Sequence, residues 1–548
     1  MTKSGTTSDV IDAFKQRGFT FVGNTTDGRL RLHGHLTPAQ SGKGYRCAIE
    51  LDPNFFELPR IRLLELPPDS PAVVPHLGAD GHLCYAAKGT VVLDIFDPVG
   101  QALACLNRAE EVFTKIVAGE LVQDLEEEFH AFWCGDFCLL DIQGSALGQH
   151  PCRVLDGQGR LLFCVTDDPE RTSKKFKGFV PRPEDAQSIV AYRVQTNVQP
   201  RPLVNQWPPQ TVGALLDWQS KLDTRCRRKI HARIRDALAA KAKGVLILIE
   251  SPRMTYGVSI IFDGIAASLT KKVKTLAHRR DPTLALRVTP VAVARIDDSY
   301  LAQRNVPDRT TLASKSIALV GCGTIGGYLA ELLLKAGAGT CGGKLSLVDM
   351  DVLMPQNLGR HRLGCTDLFS NKATSLANEL LRLVPTATIQ PLPVDVKQAR
   401  LDDGLDLLID ATGEEALGHW LCQHYLRRTA MLSVWIEGPG TVVRGLLHTS
   451  AAGACYRCLW HSVRRGALRP TTEEVPVILA GQGCEDLYVP FPSTVSVQAA
   501  SLGAEMALDW ANGSQSPALR TRLTDRRYHL ETPDADPPPD SNCPICRT

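Results

Sequence analysis

One short stretch narrows the fold of this chain more than any other. Lys315-Ser-Ile-Ala-Leu-Val320 is an apolar run of strand length that passes directly into Gly321-Cys-Gly-Thr-Ile-Gly326. Helical spacing follows over Tyr328–Ala336, and Gly337 and Gly339 end it. Glycines between a buried strand and a helix let the backbone approach phosphates, and the helix N-terminus offers free N–H groups and the positive end of its dipole. Lys344–Val348 reads as the next strand and Leu405–Asp410 as a third. Such alternation predicts a parallel, doubly wound sheet from about residue 300 onward. Asp349 follows Gly326 by 23 residues, at the end of the second strand, where it can accept from ribose hydroxyls. These features alone favour NAD. Glycines needed only for a tight turn are the blander reading.

The next residues turn the reading towards a triphosphate. Leu347-Val-Asp-Met-Asp-Val-Leu-Met-Pro-Gln-Asn-Leu-Gly-Arg360 places Asp351, Asn357 and Arg360 just beyond the ribose position, and Lys372 follows. Two cations near a glycine-rich loop can neutralise a triphosphate while its α-phosphate is attacked. Hydride transfer has no such need. Isolated surface charge would explain either cation singly, but not their joint spacing.

At about 100–200 residues per domain, a chain of 548 residues should hold three or four domains. Apolar residues at 44% and charged residues at 22% exclude a mainly disordered or fibrous chain. With 61 basic and 59 acidic residues, the net charge of +2 implies no bulk attraction to nucleic acid or an anionic membrane. Apolar runs such as Gly244–Ile249 fall far short of the roughly 20 residues that span a bilayer. The first nine residues form no apolar signal core, so a cytoplasmic location is expected. The odd count of 17 cysteines fits reduced thiols serving as metal ligands or nucleophiles.

Residues 1–148 read as an α+β domain. Ser8 caps a helix Asp9–Arg17, strands run over Thr20–Gly23, Arg29–His35, Tyr45–Leu51 and Ile61–Glu65, and a helix covers Gln101–Val117. Residues 149–298 read as an α/β linker domain, with strands near Cys152–Val165 and Ser188–Val194 and a proline-rich break at Pro200–Pro209. One long helix is expected over Val212–Lys243, then strands at Val245–Glu250 and Val258–Phe262. Its basic residues, including Arg225, Arg228 and Arg235, form either a solvated face or a surface for a partner. Residues 299–548 form the α/β Rossmann-like domain, whose Pro/Asp-rich tail, Thr532–Asn542, is expected to be extended.

Cys455-Tyr-Arg-Cys458 and Cys543-Pro-Ile-Cys546 are two CxxC pairs with 84 residues between them. Four thiolates in two such pairs suit a closed, structural zinc site, with a redox CxxC as the alternative. Cys484 lies between them in Gly481-Gln-Gly-Cys, a glycine-flanked loop where a thiol can ionise and attack.

Read in order, GxGxxG, Asp349-Met-Asp351, Asn357-Leu-Gly-Arg360 and Lys372 resemble the ThiF-type adenylating family. That family includes ubiquitin-activating enzymes and the bacterial activators of sulfur-carrier proteins, which join ATP to the C-terminal carboxylate of a ubiquitin-like protein. The resemblance covers residues 299–548 and implies that Gly321, Gly323, Gly326 and Asp351 belong to an ATP site. By the same resemblance Asp349 holds ribose, Asn357, Arg360 and Lys372 contact phosphates, and Arg304 reaches the nucleotide, often across a dimer interface. The family's magnesium-holding Asp comes last in Asp-x-Thr-Asp. Here Asp410-Ala-Thr-Gly413 has glycine there, leaving Glu414 or Asp410 to substitute. The CxxC pairs match the structural zinc of the sulfur-carrier activators, and Cys484 matches the cysteine that takes the carrier from AMP as a thioester.

Pro75-His-Leu-Gly-Ala-Asp-Gly-His-Leu-Cys-Tyr85, following the meander, resembles a ubiquitin-conjugating domain, with Cys84 as its thioester cysteine. Asp80-Gly81 matches that family's turn, but His76-Leu77 replaces His-Pro-Asn, so the asparagine that stabilises the oxyanion is missing. His76 and His82 read as structural rather than catalytic. The whole chain is similar to the fused conjugating–activating enzymes of bacterial anti-phage (CBASS) operons. That implies a homodimer using ATP, magnesium and structural zinc to join the free C-terminus of a CD-NTase (cGAS/DncV-like) to an amine on a protein or small molecule. The implied order is adenylation, thioester at Cys484, transfer to Cys84, then aminolysis. A sulfur-carrier adenylyltransferase without conjugation and a non-catalytic nucleotide-binding scaffold are the alternatives.

Overall fold

The computed structural model describes residues 7–38, 42–66, 73–78, 80–86, 91, 93–144, 146–155, 161–176, 189–202, 207–262, 281–449, 453–481 and 488–546. The chain packs as two compact units. Met1–Leu140, Ser145–Thr166 and Arg182–Ala294 form the first; Asp141–Gly144, Asp167–Pro181 and Arg295–Thr548 form the second.

The first unit opens with a helix, Thr7–Gln16, which contains Ser8 rather than being capped by it, and the expected meander follows. Strands β1 (Thr20–Asn24), β2 (Leu30–Leu36), β3 (Tyr45–Leu51) and β4 (Arg60–Leu63) pair antiparallel in chain order. Alternate residues, among them Leu30, Leu32, Cys47, Ile49, Ile61 and Leu63, are buried on one face. The helix Pro98–Val117 covers that face with Ala102, Cys105, Leu106, Ala109, Val112 and Phe113, a stripe of helical period. Asp97 starts this helix by accepting the Gly100 N–H, and Pro98 fits the first turn, where a missing N–H costs nothing.

The same unit carries a mixed eight-stranded sheet. Its strands are β5 (Asp136–Asp141), β6 (Gly148–His150), β7 (Cys152–Leu155), β8 (Leu162–Thr166), β9 (Ile189–Gln195), β10 (Gly244–Glu250), β11 (Thr255–Ile261) and β12 (Thr289–Arg295), in the order β6-β9-β10-β11-β12-β5-β8-β7. β5 joins it from before residue 148. The long helix expected over Val212–Lys243 is two helices, Val212–Leu222 and Thr224–Ala239. Between them Asp223 is extended and its carboxylate accepts the Arg225 N–H at 2.8 Å, so a capping side chain ends one helix and starts the next. Arg225, Arg228 and Arg235 on the second helix are exposed.

In the second unit, β13 (Ser316–Val320), β14 (Lys344–Val348), β15 (Ile389–Leu392), β16 (Leu407–Asp410), β17 (Ala430–Glu437), β18 (Val442–His448) and β19 (Leu519–Leu523) run in the order β15-β14-β13-β16-β17-β18-β19. β15 to β17 pair parallel as expected, and β18 and β19 add an antiparallel edge. Helices Thr324–Lys335, Lys372–Leu383 and Ser493–Ala511 contribute Leu329, Leu333, Leu376, Leu380, Ala499 and Met506 to the core beside Ile317, Leu319, Leu345 and Ile409.

Candidate active sites

The strand order turns back at β13, with β14 and β15 on one side and β16 on the other. Open α/β sheets form a crevice at such a switch point. A cleft of about 670 Å³ is lined there by Gly321, Gly323, Asp349, Asp351, Lys372 and Glu414, among others. Geometry requires two of the glycines. Gly321 has φ +88°, and a Cβ on Gly326 would stand 1.8 Å from the Gly321 carbonyl oxygen. The helix Thr324–Lys335 begins at Gly323 with no side-chain cap, which leaves its first turn for an anion.

Asp349 uses both carboxylate oxygens on this scaffold. Oδ2 accepts the Cys322 N–H at 2.7 Å and Oδ1 accepts the Asp351 N–H at 2.8 Å. Burial raises its pKa above the ordinary carboxylate value, against the pull of those N–H bonds and of Lys372. Lys372 opens its helix and reaches Asp351 Oδ2 with Nζ at 2.9 Å. Asn371 Nδ2 donates to the carbonyls of Asp349 and Asp351 at 2.8 and 3.0 Å, fixing this loop beneath the lysine.

The remaining nucleotide candidates face other partners. Arg360 Nη1 donates to the Val489 carbonyl at 2.7 Å, and its guanidinium lies 4.9 and 4.5 Å from the ring centres of Tyr488 and Phe491. Burial depresses its pKa. Asn357 Oδ1 accepts the Met354 N–H at 3.0 Å, and Arg304 is exposed at the end of the helix Asp298–Gln303. Asp410 is buried and accepts the N–H and hydroxyl of Thr412 at 3.0 and 2.7 Å; burial pushes its pKa up to about 6. It locks the turn, whereas Glu414 stands on the cleft wall. Asp395, Val396 and Lys397 also line the cleft and escaped the sequence reading. Strand order is the signal that finds them, because the loop after β15 lies beside the loop carrying Asp349.

In the same unit the sulfurs of Cys455, Cys458, Cys543 and Cys546 all lie within 4.8 Å of one another. Cys455 is 3.6 Å from Cys458 and 3.7 Å from Cys543, and Cys458 is 3.4 Å from Cys546. Four sulfurs about 2.3 Å from a zinc ion would be about 3.8 Å apart, so the donor set fits a closed tetrahedral site. Cys484 lies outside the described residues.

The first unit holds the second candidate. Leu83 N–H donates to Ile61 and Leu63 N–H to Gly81, each at 2.8 Å, docking this segment on β4. Gly81 has φ +83°, and a Cβ there would stand 2.4 Å from the Leu63 carbonyl oxygen, which explains the Asp-Gly pair. Leu83 and Tyr85 are buried, and the Tyr85 hydroxyl donates to the Pro59 carbonyl at 2.7 Å, so alternation turns Cys84 outward. Cys84 lines a cleft of about 660 Å³ with His76, Val112, Asp124, Glu127 and Glu128. Partial burial raises its pKa, and the charge of Glu128 adds to the rise. His76 has φ +58°, and its ring nitrogens lie 2.8 Å from Asp124 Oδ2 and 2.8 Å from Glu128 Oε1. Its N–H also donates to Glu128 at 2.9 Å, so it anchors the cleft floor. The acids that surround Cys84 lie 40 or more residues further along and were not legible beside it.

Comparison with known proteins gives two family matches, ThiF family over residues 299–545 and Prokaryotic E2 family B over residues 27–136. The chain is 62% identical over 548 residues to the ATP-dependent ubiquitin transferase-like protein Cap2 of Pseudomonas aeruginosa (strain BWHPSA011 / Pa011), covering 100% of both. It is 26% identical over 539 residues to the protein of that name from Escherichia coli (strain TW11681), covering 91% of this chain and 90% of the relative. Among solved structures, E. coli MccB with ATP is 16% identical and covers 45% of this chain and 68% of its own, with a TM-score of 0.31.

Proposed function

This chain belongs to the family of ATP-dependent ubiquitin transferase-like Cap2 enzymes, and on that premise we propose that it activates a protein C-terminus with ATP and joins it to an amine. The carrier's carboxylate oxygen attacks the α-phosphorus of ATP, pyrophosphate leaves, and an acyl-adenylate remains. The Cys484 thiolate then attacks the acyl carbon and expels AMP. Cys84 takes the acyl group from Cys484 by thioester exchange, and an amine attacks that thioester to form an amide and free the thiol. Each thiol step divides one difficult acyl transfer into easier ones. The pairing of a glycine-and-lysine cleft suited to a triphosphate with an exposed thiol in a second cleft carries this reading.

Gly321, Gly323 and the first turn of the following helix receive phosphates, Gly326 lets that turn close against Gly321, Asp349 receives ribose, and Lys372 offsets developing charge. Arg360 and Asn357 would join them only after leaving their present partners, and exposed Arg304 would have to reach the nucleotide from the end of its helix. The carboxylates of Asp351 and Glu414 on the cleft wall offer hard oxygen donors, and magnesium held there would polarise the phosphates. The four-cysteine cluster would hold structural zinc. Beside Cys84, Glu127 and Glu128 can attract an ammonium group and accept its proton. The carrier is the C-terminus of a CD-NTase-type nucleotidyltransferase, and the enzyme works as a cytoplasmic homodimer whose three parts are residues 1–148, 149–298 and 299–548. Resemblance to the CBASS enzymes supports these assignments.

Pyrophosphate exchange into ATP, dependent on the carrier, tests the first step. Non-reducing gels test the rest: a reductant-sensitive carrier adduct should precede a stable conjugate. Exchange without any stable conjugate would favour the sulfur-carrier alternative, and no exchange would favour a scaffold.

A further inference from the structure

His361 follows Arg360 directly and is buried at 5% exposure. Its Nδ1 accepts the Leu363 N–H at 3.0 Å, so the proton of the neutral ring sits on Nε2, which lies 2.9 Å from the Cys322 carbonyl oxygen. Burial pushes its pKa down to about 4, which keeps the ring neutral near pH 7, with Lys372, Arg362 and Asp367 the charged groups that bear on it. Cys322, the second residue of Gly321–Gly326, is thus held at both ends: its N–H by Asp349 and its C=O by His361.

A trans peptide is planar, with C=O and the following N–H pointing in opposite directions. His361 lies outside the cleft lining, whereas Gly323 is part of it. We propose that His361 is a positioning residue that keeps the Cys322–Gly323 peptide turned so that the Gly323 N–H faces the nucleotide phosphates. Without it, a glycine-flanked peptide is free to flip and present a carbonyl oxygen to the phosphates, exchanging attraction for repulsion. The proposal rests on the nucleotide reading of this cleft.

The test uses the full chain and two probes, the ATP analogue AMP-PNP and adenosine, which lacks phosphates, measured by titration calorimetry. His361→Leu should weaken AMP-PNP by about tenfold or more, the loss expected for one hydrogen bond to a charged group, and leave adenosine unchanged. His361→Gln, which keeps an N–H donor, should recover most of the affinity. A leucine variant that binds both probes like the parent, or loses both equally, overturns the proposal. So does failure of glutamine to rescue. A parent chain that binds neither probe overturns the nucleotide reading itself, a result distinct from an indifferent leucine variant.

Discussion

The two clefts are nearly the same size, about 670 and about 660 Å³, yet they are assembled differently. Around Gly321–Gly326 the wall is built from a helix start and the loops that follow β13, β14, β15 and β16, with Lys372 seated by an acid 21 residues earlier in the chain and Lys397 also lining it. Around Cys84 the wall is side chains brought from far along the sequence, with His76 tied to Asp124 and Glu128 across 48 and 52 residues. Among the described residues its cations, Arg108 and Lys115, are both paired with Glu111, while Asp124, Glu127 and Glu128 put acidic charge near the thiol. The first arrangement suits an anion held by fixed dipoles. The second suits an uncharged thiol awaiting an amine.

The sharpest way to separate the two is Cys84→Ala. Stable conjugates should vanish while pyrophosphate exchange and a reductant-sensitive adduct on Cys484 persist, read from non-reducing gels; full conjugation by this variant would remove the first unit from the mechanism. Lys372→Ala should slow exchange by about 10²–10³-fold through lost charge stabilisation, with Cys84 alkylation unchanged. A matched loss of both would show that the clefts are not independent. Replacing Cys543 and Cys546 by serine should release about one zinc per chain and lower the melting temperature, checked by elemental analysis and calorimetry; native protein without zinc would sink the metal assignment. The smallest effect belongs to Glu128→Gln. Glu128 raises the Cys84 pKa, so removing its charge should lower that pKa and speed alkylation a few-fold near pH 8, seen as a shifted pH–rate curve.

What the sequence disclosed follows the same division. The glycine loop, Asp349, Asp351 and Lys372 were legible because strand, turn and helix place them by local rules, and they meet on one wall. Arg360 was placed at phosphates by its motif, but Tyr488 and Phe491 claim its guanidinium from about 130 residues away, which spacing cannot reveal. The antiparallel edge β18–β19 stayed hidden because an apolar run carries no direction. The helix break at Asp223 was readable: Asp-Thr in a helical pattern is a capping signal, and helical periodicity on both sides masked it. Cys84 was found from its turn, whereas its acidic surroundings depend on tertiary contacts.

The cysteine cluster also has a topological consequence. Cys455 meets Cys543 and Cys458 meets Cys546 across 88 residues, enclosing Cys484 and the helix Ser493–Ala511 in one loop. Closing a loop of about that length removes on the order of 4–5 kcal/mol of chain entropy from the unfolded state when the tie is strong. With metal in place, the loop acts as a ring. A single proteolytic nick inside it should leave two fragments that travel together through a sizing column under denaturant too mild to strip the metal, and that part when a chelator is added.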